Sequence, residues 1–145
     1  MSETTSVTEQ VKEKTLTPLL KAVNCIYIPV ADPQKAAAWF EKYLGLNRVS
    51  PGGDVMLLGN GIWLFLCKCE GQTSHFVGLD GSEVCSFTFE TEDIFTLHQS
   101  LTNSGAYVEP IEDYGGCGLK FWFKDPDGNR FHIWQDPNTG AHPAH

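Results

Sequence analysis

Asn24-Cys25-Ile26-Tyr27-Ile28-Pro29-Val30-Ala31-Asp32-Pro33 is the stretch whose reading decides the architecture. From Cys25 to Val30 apolar and less apolar residues alternate, the period of a strand with one buried face. Asp32-Pro33 then reads as a helix N-cap followed by proline at the first helical position. The spacing predicts a helix that gathers Ala36, Trp39, Phe40, Tyr43 and Leu44 on one face and stops at Gly45. The same plan recurs 61 residues on. Cys85-Ser86-Phe87-Thr88-Phe89-Glu90-Thr91 alternates, Asp93 takes the place of Asp32, and Ile94, Leu97 and Leu101 form a helical stripe ended by Gly105. In this register Ala36 matches Leu97 and Phe40 matches Leu101.

Strand-like runs separated by turn signals follow each helix. The first set is Asp54 to Leu58, a Gly59-Asn60-Gly61 turn, and Ile62 to Lys68. The second is Ala106 to Ile111, Leu119 to Lys124, an Asp125-Pro126-Asp127-Gly128 turn, and Asn129 to Gln135. Each half reads β-α-β-β-β. A unit this short cannot bury a sheet face and a helix alone, so the pattern predicts an α+β fold of two tandem βαβββ modules pairing into a curved mixed sheet around a cleft. Residues 1–18 and 138–145 read as mobile tails around a single domain at 19–137, with module one at about 22–70 and module two at about 83–136.

The composition bounds the function. At 145 residues, 41% hydrophobic and 19% charged, the chain is a globular domain large enough to bury a core. Eighteen Asp and Glu against ten Lys and Arg give a formal charge of −8, which argues against a nucleic-acid partner. The longest apolar run, Ile62 to Cys67, falls far short of the roughly 20 residues that span a bilayer, so no membrane role is expected. Met1 to Gln10 lacks a basic start and an apolar stretch, and the five cysteines are odd in number without a CxxC pair. Together these predict an unsecreted cytoplasmic protein with reduced thiols. Cys67 and Cys69 share a strand face and read as small buried hydrophobes.

The faces of the repeat strands point to the chemistry. Ile26, Ile28 and Val30 share one face of the first strand and Cys25, Tyr27 and Pro29 the other. Phe87 and Phe89 oppose Ser86, Thr88 and Glu90, while Phe131 and Ile133 oppose His132 and Trp134. The helices claim the apolar faces, which leaves the other set to line a concave surface. Trp63, Phe65 and Cys67, on one face of a strand apolar on both, argue for an aromatic-walled pocket over a solvated sheet face. The expected small-molecule contacts are Tyr27, Trp63, Phe65, Ser86, Thr88 and Trp134. His75 and His98 have no partners in sequence and read as ordinary loop and helix residues. Gly115-Gly116-Cys117-Gly118 lacks the lysine and following helix of a phosphate loop and reads as a flexible loop over the cleft.

Three segments carry a family resemblance: Asn24 to Asp32, Ala38-Trp39-Phe40-Glu41-Lys42-Tyr43-Leu44-Gly45-Leu46, and Asp125-Pro126-Asp127-Gly128-Asn129-Arg130-Phe131-His132-Ile133. In that order, between Ala22 and Gln135, they resemble the glyoxalase/bleomycin-resistance/extradiol-dioxygenase superfamily, also called vicinal oxygen chelate proteins. The resemblance implies two modules around a cleft, a cytoplasmic location and a homodimer. It also implies a divalent metal held from the first and fourth strands of each module. Carried over by position, the ligand places fall on Cys25, Ser86, His132 and, near the fourth strand of module one, Trp63 or Phe65. Only Cys25 and His132 retain coordinating side chains, and Glu90 lies two residues from Ser86 on the same face.

Two functions follow. One is a glyoxalase-type lyase or dioxygenase, in which Zn, Ni or Fe polarises a substrate with two chelating oxygens and Glu90 moves a proton. The other is a binding protein like the bleomycin-resistance members, which holds a ligand without metal or turnover. The acidic balance then favours a cationic or aromatic guest. The depleted ligand set favours the second, with no metal assured. Zn²⁺, Ni²⁺ or Fe²⁺ is expected to bind weakly or not at all.

Overall fold

The computed structural model describes residues 17–138. The expected tails therefore lie largely outside the described residues, at 1–16 and 139–145. The first module runs β1 (Cys25–Val30), α1 (Pro33–Leu44), β2 (Asn47–Arg48), β3 (Val55–Leu57) and β4 (Trp63–Lys68). A hairpin of β5 (Phe76–Val77) and β6 (Glu83–Val84) links it to the second module. That module runs β7 (Thr88–Glu90), α2 (Ile94–Asn103), β8 (Glu112–Asp113), β9 (Leu119–Lys124) and β10 (Arg130–Gln135). Sheet orders are β1-β4-β3-β2 and β7-β10-β9-β8, so the βαβββ plan is repeated strand for strand. In each, the first strand pairs in parallel with the last and the rest are antiparallel.

The caps fall where the sequence places them. The Asp32 carboxylate accepts from the backbone N–H groups of Gln34 and Lys35 at 3.1 and 3.2 Å, satisfying donors that have no partner within the helix. Gly45 ends α1 in the left-handed region at φ 67°, which glycine adopts without a Cβ penalty. Asp93 repeats the cap on α2, accepting from the Thr96 N–H at 3.1 Å and the Thr96 hydroxyl at 2.7 Å. A donor from a distant element completes this second start. The buried Gln135 of β10 accepts from the Ile94 N–H at 2.8 Å.

Two expected strands are shorter than the alternation suggests. Cys85 to Thr91 forms ladder only over Thr88–Glu90, and Ser86 instead donates its hydroxyl to the Ser74 carbonyl. Ala106 to Ile111 is extended chain beside β9, bridged at Val108 to Phe123, and the ladder proper begins at Glu112. Alternation measures burial, whereas a ladder needs a partner at hydrogen-bonding distance.

The modules join through their apolar faces. Ile28, Val30, Leu64, Leu66 and Met56 of the first sheet, Phe121, Phe123, Phe131 and Ile133 of the second, and Ala37, Phe40, Ile94 and Leu101 of the helices form one buried cluster. Phe40 of α1 meets Phe131 edge to face, with centroids 6.3 Å apart, and Trp39 lies over Phe123. Among the described residues no ladder joins one sheet to the other. Each sheet turns one face to the shared core and the other outward.

The Asp125-to-Asn129 turn pins the modules together. Asp127 Oδ1 accepts from the Ala31 N–H at 2.8 Å, just past the end of β1. Buried Asn129 donates to the Pro29 carbonyl at 2.9 Å and accepts from the Ser74 N–H at 2.8 Å. Gly128, at φ 84°, gives the turn the left-handed step it needs.

Candidate functional site

Both outward faces are built by the strand alternation that builds the core. In module one the parallel register puts Cys25 beside Trp63, Tyr27 beside Phe65 and Pro29 beside Cys67, six side chains on one face. The Tyr27 and Phe65 rings stack at 5.3 Å, and Trp63 tilts against Phe65 at 5.9 Å. Tyr27 is 64% exposed and Trp63 43%, an unusual placement for an aromatic ladder. A hydrogen bond with Cys25 raises the Tyr27 hydroxyl above its ordinary pKa, and burial pushes the Cys67 thiol up. Cys67 is therefore held as a thiol and not as a thiolate nucleophile.

In module two Thr88 stands beside His132 and Glu90 beside Trp134 on β7 and β10, with Trp122 and Lys120 opposite them on β9. Thr88 Oγ1 and His132 Nδ1 are 3.2 Å apart. Burial first, then the charges of Lys120 and Arg130, hold the imidazole pKa below its ordinary value. Trp134 donates its Nε1–H to the Cys117 carbonyl at 2.7 Å. The Gly115–Cys117 segment is a 3₁₀ turn. A Cβ at Gly118 would strike the Gln135 carbonyl and the Trp134 ring, so the expected flexible loop is a turn seated on β10.

The sequence-derived residues thus fall into two groups. Cys25, Tyr27, Trp63 and Phe65 share the first sheet, and Thr88, Glu90, His132 and Trp134 the second. Ser86 precedes β7 with its hydroxyl engaged by the Ser74 carbonyl. Cys25 and His132, the two coordinating side chains, stand on different sheets. Among the described residues no group of three or more His, Cys, Asp or Glu side chains is placed to hold a metal ion. With Trp63 and Phe65 unable to coordinate and Ser86 a weak ligand, the described residues of one chain do not fit such an ion.

Sequence reasoning missed two features. A cavity of about 370 Å³ opens between the C-terminal end of α1 and the start of α2, lined by Leu44, Leu46, Leu58, Phe89, Leu97 and Phe123, with Glu90 also bordering it. No periodicity signals it, because it arises where the modules meet. His75 is the other. Its Nδ1 accepts from the Arg130 N–H at 3.1 Å and its Nε2 lies 2.9 Å from Glu83, whose Oε1 pairs with Lys124 at 3.1 Å. Glu83 is held below the ordinary carboxylate range, chiefly by the hydrogen bond from Lys124. This cluster ties the linking hairpin to the second sheet.

The chain has relatives in sequence pattern and in structure. A family model described as "Glyoxalase/Bleomycin resistance protein/Dioxygenase superfamily" matches residues 22–133. A member of that superfamily from Sphaerobacter thermophilus superposes with a TM-score of 0.60 at 23% identity, covering 81% of this chain and 99% of the other. A domain from Frankia sp. superposes with a TM-score of 0.60 at 22% identity over 82% and 94%. The fosfomycin resistance protein FosX from Listeria monocytogenes, solved with Mn(II) and sulfate, does so with a TM-score of 0.59 at 13% identity over 83% and 94%. No curated protein matches the chain.

Proposed function

The chain belongs to the glyoxalase/bleomycin resistance protein/dioxygenase superfamily, and from that membership we propose that it holds a small molecule against its outward sheet faces, as a binding protein that does not rely on a metal. The observation that carries this reading is the Tyr27, Phe65 and Trp63 ladder, stacked yet open on a face the core does not use. Aromatic walls beside a few placed polar groups, here Thr88 and His132 of the second face, are the composition of small-molecule pockets. Because both outward faces point away from the shared core, a second copy of the chain is the partner that brings one against the other. A homodimer is therefore part of the proposal. The five free thiols support a reducing, cytoplasmic setting. Among the described residues no helix is long and apolar enough to cross a membrane.

A thermal-shift screen of small molecules on untagged protein tests the reading, with metal analysis alongside. The expected result is a stabilising ligand whose effect is lost in Tyr27→Ala and Phe65→Ala, from protein carrying no stoichiometric metal. Ligands that stabilise both variants as well as the parent would show that the outward face is solvated sheet. Near-stoichiometric Zn²⁺, Ni²⁺, Fe²⁺ or Mn²⁺ lost in His132→Ala would instead establish a metal-dependent lyase or dioxygenase, its ion completed by donors from a second copy.

A further inference from the structure

We propose that the outward face of the second sheet is an anion-binding surface, and that the ligand this protein takes carries a carboxylate or a like small anionic group seated on Lys120, His132 and Thr88. This deepens the reading above and rests on it. The formal charge of −8 makes the chain as a whole repel anions, so a local reversal of sign is informative.

The second sheet collects three cations on one face. Lys120 and Trp122 of β9 stand in register with Trp134 and His132 of β10, and Lys124 is paired with Arg130. Two of the three are engaged. Lys124 pairs with Glu83 at 3.1 Å, and Arg130 lies 4.0 Å from the same carboxylate with its guanidinium packed 3.7 Å over the Trp122 ring.

Lys120 differs. Among the described residues no carboxylate lies within ion-pair distance of it, and its ammonium stands 5.0 Å over the Tyr114 ring. Its neighbour across the ladder, Glu112, accepts from the Tyr114 hydroxyl at 2.5 Å. Glu109 accepts from the Tyr107 hydroxyl in the same manner. Glu90 is the remaining carboxylate on this face. It stands beside Trp134 on the outer strand, with β10 between it and β9.

The imidazole of His132 lies diagonally across the ladder from Lys120, which stands opposite Trp134 on the same face. The His132 Nδ1 and the Thr88 hydroxyl share one hydrogen bond, so the pair keeps one further donor, the Nε2–H when Thr88 donates or the Thr88 O–H when Nδ1 donates. The Lys120 ammonium and the one N–H or O–H left by the His132–Thr88 pair are a donor set for an oxyanion, and Lys120 repels a cation. The local geometry therefore reverses the preference that net charge alone suggests.

Three probes with one ring and different charge test this: benzoate, benzyl alcohol and benzamidine, titrated into the full chain at low ionic strength. Affinity is read by calorimetry and location by the backbone amide shifts of Thr88, Lys120 and His132. Benzoate is expected to bind tightest and to shift those amides. Lys120→Gln should weaken it roughly tenfold, the scale of one lost charge-assisted contact, while Lys120→Arg should retain it. Lys120 is only partly buried, so both variants are expected to fold. Benzyl alcohol or benzamidine binding as tightly as benzoate at the same amides would overturn the anion proposal and leave the small-molecule reading standing. So would unchanged benzoate affinity in Lys120→Gln. If no probe shifts either outward face at millimolar concentration, both fall.

Discussion

At the scale of single residues the chemistry of the Asp125-to-Asn129 turn is structural. Asn129 is fully buried, and its amide reaches Pro29, Ser74 and Asp125 at 2.8 to 3.0 Å. Removing it leaves a buried N–H and two acceptors unpaired, so Asn129→Ala is expected to cost about 2 kcal/mol or more in urea unfolding. Asp125 beside it titrates in an unusual range. Burial pushes its carboxyl up to about 6, ahead of the hydrogen bonds from Asn129 that pull the other way. Unfolded, the same group titrates near ~3.9, so between the two values the folded protein holds a proton the unfolded chain has lost. The Asp125 contribution to stability therefore falls as pH rises from about 4 to about 6 and is level above that window. Melting curves across this range should slope more steeply downward for the parent than for Asp125→Asn. A slope unaffected by the substitution would remove Asp125 from the account.

At the scale of elements the two helices start alike, and the repeat read from Asp32 and Asp93 is an identity of physical role. Asp32→Ala is expected to cost about 1 kcal/mol, the usual worth of an N-cap, measurable as a lower urea midpoint with unchanged slope. For Asp93, the hydrogen bonds from Thr96 hold the carboxyl below its ordinary range. Its stabilising effect is thus present above the unfolded pKa and lost as pH falls through the lower folded one. Thr96→Ala should shift that loss to higher pH, which acid titration followed by circular dichroism would register. The elements that escaped the sequence reading are β2, β5, β6 and β8, each of two residues. Such strands carry too few side chains for a period to be seen and exist only because a partner lies alongside.

At the scale of the whole molecule the modules share one core, with Phe40 of the first against Phe131 of the second. Urea unfolding should therefore be a single transition, with tryptophan fluorescence and far-ultraviolet dichroism coinciding. The open faces predict self-association. Light scattering at high micromolar concentration should report a dimer, reduced towards monomer in Tyr27→Glu, which places a charge in the exposed ladder. A parent monomeric at that concentration would remove the second copy from the proposed function.

By itself the sequence determined the βαβββ repeat, both N-caps, the Gly45 stop, the two hairpin turns and the inward or outward facing of each long strand. These follow from local rules: a 3.6 or 2-residue period, a side chain able to accept from the first helical N–H groups, and a glycine where φ is positive. Tertiary structure alone decided where the faces went. Cys25 and His132, the two coordinating side chains that the resemblance singles out, stand on different sheets because Phe40, Trp39, Phe123 and Phe131 join the modules through their apolar sides. It also decided the sign of charge around His132, since Lys120 is twelve residues away in sequence and becomes its neighbour only through the β9 and β10 register. Periodicity shows which side chains seek the core, and only the packed core shows what their opposite faces meet.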